Sequence, residues 1–332
     1  MADFRALVVD KKDERFSVSI QSLSKDDLPV GDVTVRVRYS GVNYKDGLAS
    51  IPEGRILESY PMVPGIDLAG VVVESRDSRY KEGDEVIVAS AELGVSHPGG
   101  FSQIARVPGD WVIPLPQGLT LKEAMVLGTA GFTSAMSVQR LEENGLTPEK
   151  GPVIVTGASG GVGSTAVAML AKRGYHVVAS TGKTAAHDYL RSLGAEEILS
   201  REETTDESGR PLQKARWAGA VDPVGGKTLA YLLATTKFGG SVALSGLTGG
   251  PKLTTTVFPF ILRGVSLLGI DSAHVSQDYR IRVWNRLAGD LKPDRLLERI
   301  ATREIALDEL PEILSAILKG KVTGRTIVKM EE

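Results

Sequence analysis

Apolar strands alternate with helical stretches from about Lys122 onward, and this alternation limits the possible folds more than any other feature of the sequence. An apolar strand at 152–156 leads through a glycine-rich turn into a helix at 163–173. Further helices are predicted at 122–144, broken around 128–131, and at 184–193, and further strands at 175–180, 218–222, 240–245 and 266–270. Strands separated by helical stretches indicate a parallel sheet covered on both faces. We therefore predict an α/β fold with a doubly wound parallel sheet.

The first part of the chain has a different pattern. Short segments rich in valine and isoleucine, separated by turn residues, predict strands at 4–9, 33–39, 70–73 and 85–89. They indicate a small, mostly β barrel or sandwich. An amphipathic helix at 308–319 and a strand at 326–330 are expected to return to this part. The predicted domains are therefore residues 1–122 with 296–332, and residues 123–295.

Composition excludes several classes of protein. The 332 residues include no cysteine, so a disulfide framework, a cysteine-ligated zinc, an iron–sulfur cluster and a thiol nucleophile are all excluded. A net charge of -2 argues against a nucleic-acid partner. The sequence shows no targeting segment and no apolar run long enough to cross a membrane, which predicts a cytoplasmic protein without a membrane partner.

The glycine-rich turn at 153–163 fits three motifs. Gly157, Gly160 and Gly163 suit a Rossmann dinucleotide loop, in which glycines allow a tight turn, close approach to a pyrophosphate and packing of the helix. The same residues match the T-G-x-x-x-G-x-G of short-chain dehydrogenases. The segment around Ser159 also matches the G-x-S-x-G nucleophile elbow of hydrolases.

The surrounding sequence favours the dinucleotide loop. Short-chain dehydrogenases need a tyrosine four residues before a lysine, and none of the eight tyrosines has one. A hydrolase could use Asp222 and His274 in the required order, so this alternative stays open. We expect the four histidines to be surface or supporting residues instead: His97, His176, His187 and His274.

The end of the next predicted strand indicates which cofactor binds. NAD-dependent enzymes usually place an acidic residue about 20 residues after the loop, where it binds the ribose 2′-hydroxyl. Here the strand ends with Ser180 and is followed by Thr181 and Lys183, and all three can donate hydrogen bonds to a 2′-phosphate. The sequence therefore favours NADPH as cofactor.

Several motifs together resemble the medium-chain dehydrogenase/reductase superfamily. They are GVNYKD at 41–46, PGIDLAG at 64–70, GDEV at 83–86, GTAGFT at 128–133 and the glycine loop. The narrower resemblance is to the YhdH/YhfP group of quinone oxidoreductases, which includes acrylyl-CoA reductases. It is carried by NYKDG at 43–47, TGASGGVGS at 156–164, WAGAVD at 217–222 and PFILR at 259–263. This resemblance implies a GroES-like catalytic domain beside a Rossmann domain.

The chain departs from the zinc-dependent relatives at two positions. Asn43 stands where those enzymes have cysteine, and Ile66 where they have histidine. We therefore predict no metal site. Without a Lewis acid, hydride transfer to a conjugated C=C bond is easier than alcohol oxidation. An enoyl thioester such as acrylyl-CoA, an enone or a quinone is the expected substrate.

The resemblance also implies site residues. Cofactor contacts carry over to Tyr44, Ser159, Gly160, Gly161, Val162, Ser180, Lys183, Arg201, Leu247, Ile261 and Ser272. Thr129 is expected near the nicotinamide, and Arg201 near the 2′-phosphate. For Leu247 and Ile261 the alternative is an ordinary core position.

The predicted catalytic residues are Tyr44 and Asn43. Tyr44 either supplies the proton to the α-carbon or only shapes the pocket while water supplies it. Asn43 either orients the substrate carbonyl or braces the loop. Asp46 and Asp67 are expected to be structural, and Arg263 to meet a CoA phosphate or a carboxylate.

Two functions of different classes follow from this sequence. The favoured one is an NADPH-dependent reductase of a C=C bond or a quinone. The alternative is a non-catalytic NADPH-binding sensor on the same scaffold. The resemblance also implies a homodimer.

Overall fold

The computed structural model describes residues 3–13, 15–205 and 207–331. Within them, contacts between residues divide the chain into two compact units. The first contains the residues up to Thr129, Ser272–Ala288 and the residues from Ala301 onward. The second contains Ala130–Asp271 and Gly289–Ile300. The predicted domain bounds stay a prediction, because such units group residues by contact and not by independent folding.

The elements follow one another along the whole chain. The strands are β1 Phe4–Lys12, β2 Arg15–Leu23, β3 Val33–Gly41, β4 Asp67–Ser75, β5 Glu85–Ala89, β6 Ile104–Val107, β7 Ile113–Pro114, β8 Val153–Val155, β9 Val177–Thr181, β10 Glu197–Ser200, β11 Trp217–Asp222, β12 Thr236–Leu244, β13 Ser266–Gly269, β14 Ala301–Ala306 and β15 Arg325–Lys329. The helices are α1 Tyr44–Ala49, α2 Leu121–Glu143, α3 Gly161–Lys172, α4 His187–Ser192, α5 Gly226–Thr235, α6 Phe258–Arg263, α7 Gln277–Ala288, α8 Leu296–Arg299 and α9 Leu310–Leu318.

The first unit is built on a mixed sheet in the order β14-β15-β3-β4-β5-β7, with β6 also paired to β3. Strands β1 and β2 form a separate antiparallel ribbon. Alternate residues of β3, including Val33, Val35 and Val37, are buried in an apolar core shared with β4, β5 and α9. Strand β15 pairs antiparallel with β3, with Ile327 opposite Gly41. Strand β15 thus belongs to the sheet of the first unit.

The second unit contains a six-stranded parallel sheet in the order β10-β9-β8-β11-β12-β13. Counted from β8, this is the 3-2-1-4-5-6 order of a Rossmann fold. The strand order reverses next to β8, and in such sheets ligands bind beyond the carboxyl ends of the strands at that point. The predicted fold class, a Rossmann sheet together with a mostly β unit, is confirmed.

The hydrophobic pattern of the sequence does not predict some of the elements. Helix α1 has only six residues, too few for a helical repeat to show. Helix α7 is mostly polar, with a narrow buried face that includes Val283 and Trp284. Among the described residues, no helix is both long and apolar enough to span a bilayer.

Candidate active site and cofactor loop

The loop between β8 and α3 has the shape that its glycines predict. Gly157 has a φ of 52°, a left-handed conformation that favours glycine. A Cβ atom on Gly163 would lie 2.4 Å from the carbonyl oxygen of Gly157, so the helix can pack this closely only without a side chain. Helix α3 starts at Gly161, with Gly160 as its N-cap. The first amides of this helix, including those of Gly161 and Val162, lack helical acceptors and suit a phosphate.

The predicted residues Ser159 and Thr181 meet beside this loop. Their hydroxyl oxygens are 3.0 Å apart, and both side chains are buried. The main-chain N–H of Lys183 donates to Thr181 Oγ1 over 3.1 Å. The loop and the end of β9 are therefore held together by the residues that were predicted to contact the cofactor.

The same contacts weaken the hydrolase alternative. Ser159 is only 5% exposed, whereas an elbow nucleophile must be accessible. The carboxylate of Asp222 accepts hydrogen bonds from the Thr156 hydroxyl at 2.6 Å and from the amides of Val224 and Gly225. Asp222 therefore organises the turn after β11 and is not aimed at a histidine.

Ser180 at the end of β9 contacts a residue of a neighbouring turn. Its hydroxyl oxygen lies 2.7 Å from that of Thr204, and both side chains are buried. This contact ties β9 to the turn that follows β10. Arg201, a predicted contact of the 2′-phosphate, lies in that turn. Ser180 therefore helps to position Arg201.

Lys183 and Arg201 lie close together at the end of β9. Burial lowers the pKa of Lys183, and the charge of Arg201 lowers it further. The Arg201 guanidinium lies over Gly182, where a Cβ atom would be 3.1 Å from one of its nitrogens. Two neighbouring cations repel each other, and a bound phosphate group would relieve this repulsion.

Leu247 and Ile261 are exposed, by 64% and 67%. The alternative that they are core residues is therefore wrong. Arg263 was also interpreted incorrectly: its guanidinium donates to the backbone carbonyls of Ala234, Thr236 and Gln213. Because these carbonyls lie within its own unit, Arg263 has a structural role.

In the first unit, Asn43 connects several elements. It is the N-cap of α1, and its main-chain N–H donates to Asp46 Oδ2 over 2.8 Å. Its side-chain amide donates to Asp67 Oδ2 over 2.7 Å, and its Oδ1 accepts from Arg325 over 3.0 Å. The Asn43 side chain is only 8% exposed. These contacts favour the interpretation that Asn43 braces the loop.

Asp67 is the centre of this buried network. Both of its oxygens accept the main-chain N–H of Thr129, at 2.9 and 3.0 Å, and Oδ1 also accepts the Thr129 hydroxyl at 2.6 Å. The guanidinium of Arg325 lies 3.6 Å from Oδ2. Asp67 and Arg325 are 0% and 2% exposed, so this ion pair is shielded from solvent.

A break in α2 makes the contact between Asp67 and Thr129 possible. Gly128 has φ 51° and ψ -155°, and a Cβ atom there would lie 2.5 Å from Asp67 Oδ2. The break deprives nearby carbonyls of their helical donors. Arg325 replaces one of these donors by donating from Nε to the carbonyl of Val126 over 2.9 Å.

Burial raises the pKa of both carboxyl groups, and the charge of Asp67 also acts on Asp46. Burial, followed by the nearby charge of Asp67, raises the pKa of Asp46 to about 7. Burial also raises the pKa of Asp67, whereas Arg325 and the hydrogen bonds from Thr129 and Asn43 act in the opposite direction. Asp46 stays bound to main-chain amides, with the N–H of Ile66 donating to Oδ1 over 3.0 Å. The expectation of a structural position fits both residues.

Tyr44, Thr129 and Ser272 are the predicted ligand contacts of this unit. Tyr44 is the first residue of α1 and is 43% exposed, so its phenol is accessible. Thr129 and Ser272 both lie near Ser90, whose hydroxyl oxygen is 2.8 Å from Thr129 Oγ1 and 3.4 Å from Ser272 Oγ. Ser90, Asp67 and Arg325 thus join the site without having been predicted in it. Ser90 carried no sequence signal, whereas Asp67 stood within a matched motif.

Two family models match the chain. The model described as alcohol dehydrogenase GroES-like domain matches residues 29–117, and the model described as zinc-binding dehydrogenase matches residues 161–288. Together with the fold and the relatives below, these matches show that the chain belongs to the medium-chain dehydrogenase/reductase superfamily. The resemblance inferred from its motifs is therefore confirmed.

Three relatives are similar over almost their whole length. YhfP of Bacillus subtilis, named as a proposed quinone oxidoreductase, is 58% identical over 98% of this chain and 99% of its own. Its crystal structure, with NAD bound, has a TM-score of 0.96 and covers 99% of this chain and 100% of that one. The acrylyl-CoA reductase AcuI of Ruegeria pomeroyi is 52% identical over 98% of both chains. The yhdH oxidoreductase of Salmonella enterica, crystallised with NADP, is 49% identical with a TM-score of 0.95, covering 98% of this chain and 100% of that one.

Proposed function

We propose that this protein is a metal-independent, NADPH-dependent reductase of conjugated C=C bonds, with acrylyl-CoA or a similar enoyl thioester or enone as substrate. The observation that carries the cofactor assignment is a pair of neighbouring cations: Lys183 follows β9, and Arg201 follows β10 with its guanidinium beside Gly182. The substrate assignment is supported by the 52% identity to the acrylyl-CoA reductase AcuI. We assign catalysis to residues 1–122 and 296–332 and cofactor binding to residues 123–295.

Quinone reduction is the second candidate activity. It is favoured by the 58% identity to YhfP, which is named as a proposed quinone oxidoreductase. Enoyl thioesters, enones and quinones share a carbonyl group conjugated to a C=C bond. All three can therefore accept a hydride while the carbonyl oxygen takes the negative charge.

The reaction needs a bound cofactor, a proton donor and a rigid site. NADPH, when bound, supplies a hydride. The β-carbon of the substrate accepts it, the C=C electron pair moves toward the carbonyl to give an enolate, and the α-carbon then takes a proton. The cofactor phosphates fit the start of α3 and the cations of Lys183 and Arg201. The exposed phenol of Tyr44 is the predicted proton donor, and Asn43 with Asp67 holds the start of its helix.

Consumption of reduced nucleotide tests this proposal directly. We expect steady oxidation of NADPH with acrylyl-CoA, crotonyl-CoA or small quinones, and slower oxidation of NADH at equal concentration. Tyr44→Phe is expected to lower turnover, with water as the proton source if turnover is unchanged. Tight NADPH binding without turnover of any of these electrophiles would instead support the sensor.

We also infer that the protein is a cytoplasmic homodimer that joins through the second unit. Strand β13 is at one edge of the parallel sheet, where unpaired backbone groups can extend a sheet across two subunits. Close to it in sequence, Val257, Phe258, Ile261 and Leu262 are exposed. A run of exposed apolar residues next to an edge strand is typical of a surface that another subunit covers.

A further inference from the structure

The hydroxyl of Thr129 has only one proton, and the structure shows where that proton goes. The distance of 2.6 Å between Thr129 Oγ1 and Asp67 Oδ1 is that of a hydrogen bond from a hydroxyl to a charged carboxylate. Asp67 also accepts from the Thr129 main-chain N–H and the Asn43 side chain, and Arg325 lies beside it. All these neighbours are donors, so Asp67 is held as an acceptor.

This arrangement fixes the direction of the next hydrogen bond. Ser90 Oγ lies 2.8 Å from Thr129 Oγ1, and either hydroxyl could donate if this pair stood alone. Because the proton of Thr129 is directed at Asp67, Ser90 is the donor in this pair, and the 2.8 Å contact with Thr129 is shorter than the 3.4 Å contact of Ser90 with Ser272. The Thr129 hydroxyl therefore acts only as an acceptor toward any other group that meets it.

We propose that Asp67 is a positioning residue that makes Thr129 select a ligand carrying an N–H donor, namely the carboxamide of the nicotinamide ring. A carbonyl oxygen of the substrate, or a ketone in place of the carboxamide, would face the lone pairs of Thr129 and be repelled. Thr129 therefore recognises the cofactor and does not hold the enolate oxygen. This inference rests on the proposed binding of a nicotinamide cofactor and on the predicted place of Thr129 near its ring.

Cofactor analogues provide the test. In the 3-acetylpyridine analogue of NADP⁺ a methyl ketone replaces the carboxamide, so the N–H donor is lost and the rest of the molecule is kept. We expect the wild type to bind NADP⁺ about tenfold more tightly than this analogue, the effect of one hydrogen bond. Titration calorimetry of both ligands gives the ratio of their dissociation constants.

Three variants show which residue sets this ratio. Thr129→Val removes the hydroxyl at similar volume, and we expect the ratio to fall to about one. Thr129→Ser keeps the hydroxyl and is expected to keep the ratio. Asp67→Asn leaves Thr129 in place, but the new amide can donate a hydrogen bond to the Thr129 hydroxyl. The Thr129 proton is then free to point at the ligand. The ratio is therefore expected to fall, although residue 67 touches no ligand.

A change in the ratio differs from a general loss of structure, since both ligands share every other contact. An unchanged ratio in Asp67→Asn overturns the positioning role of Asp67. If this variant does not fold, the two Thr129 variants still test the acceptor role of Thr129, on which the role of Asp67 depends. A wild-type ratio near one, or an unchanged ratio in Thr129→Val, overturns the inference while leaving the proposed function in place. NAD⁺ and its 3-acetylpyridine analogue are measured as a second pair. If the wild type binds neither NADP⁺ nor NAD⁺ nor their analogues, the proposed function and this inference are overturned together.

Discussion

At the scale of single residues, two buried carboxyl groups of the site differ in their surroundings. Asp46 and Asp67 are both fully buried, and the buried cation of Arg325 lies beside Asp67. Asp46 accepts hydrogen bonds from two main-chain amides, whereas Asp67 also has the guanidinium of Arg325 beside it. Asp46 is therefore the carboxyl group that takes up a proton near neutral pH.

The raised pKa of Asp46 predicts a dependence of stability on pH. Between its ordinary value of 3.8 and about 7, the folded protein binds a proton that the unfolded chain releases. The free energy of unfolding should therefore decrease as pH rises through this range, by roughly one kcal/mol per pH unit from this group. Urea unfolding at several pH values measures it.

In this experiment, Asp46→Asn should remove the slope, although it also lowers stability because its amide faces a main-chain N–H. Asp188→Asn is the control, because Asp188 has a side chain that is 98% exposed. Equal slopes in the wild type and in Asp46→Asn would contradict the prediction.

The preference for NADPH is also decided by single residues. Arg201→Gln removes one of the two cations predicted to meet the 2′-phosphate. A charge-assisted hydrogen bond contributes about 1.5–3 kcal/mol, so the dissociation constant for NADPH should rise by about ten- to a hundredfold, with little change for NADH. Arg210→Gln, at another exposed position of the same unit, is the matched control. Equal weakening of both nucleotides would show that Arg201 does not contact this phosphate.

At the scale of elements, the first turn of α3 packs so closely on the loop before it that side chains are restricted there. Two glycines of this turn differ in their surroundings. A Cβ on Gly163 would meet the Gly157 oxygen at 2.4 Å, whereas a Cβ on Gly160 would lie 3.4 Å from the same atom. The first distance is a clash and the second an ordinary contact.

Alanine at these two positions should therefore have different effects. Gly163→Ala is expected to lower stability by about 1–3 kcal/mol, the usual cost of overpacking, and to weaken cofactor binding. Gly160→Ala should leave the melting temperature almost unchanged and weaken only the binding of NADPH, because its methyl group would lie where the phosphates are predicted to bind. Thermal unfolding with and without NADPH separates the two effects. Similar melting temperatures for the two variants would argue against this packing.

At the scale of the whole molecule, substitutions can distinguish association through the proposed dimer surface from association through any exposed apolar residue. Leu262→Asp places a charge beside β13, on a side chain that is 57% exposed, and should convert a dimer into a monomer. Phe238→Asp is the control, since this residue of the same unit is 82% exposed at the start of β12. Light scattering coupled to gel filtration gives the mass. A dimer that survives Leu262→Asp would remove this surface from consideration.

Local patterns predicted the parts of the molecule whose contacts are local. The strand–turn–helix at Gly157 and the polar end of β9 could be recognised because a few consecutive residues determine their shape. The partner of Arg325 could not, since Asn43 lies 282 residues away in sequence. Arg263 was misinterpreted for the same reason: an arginine's partners depend on which strands become neighbours.

The place of β15 in its sheet has a consequence for the synthesis of the protein. This strand lies between β14 and β3 and delivers Arg325 to the loop of Asn43. While a ribosome is still adding the residues before it, the nascent chain already contains Tyr44, Thr129 and the glycine loop. It lacks the guanidinium that completes the buried network of Asn43, Asp67 and Thr129 in the first unit. A chain arrested before residue 325 would thus contain most of the predicted cofactor contacts and still lack the cation of this buried network.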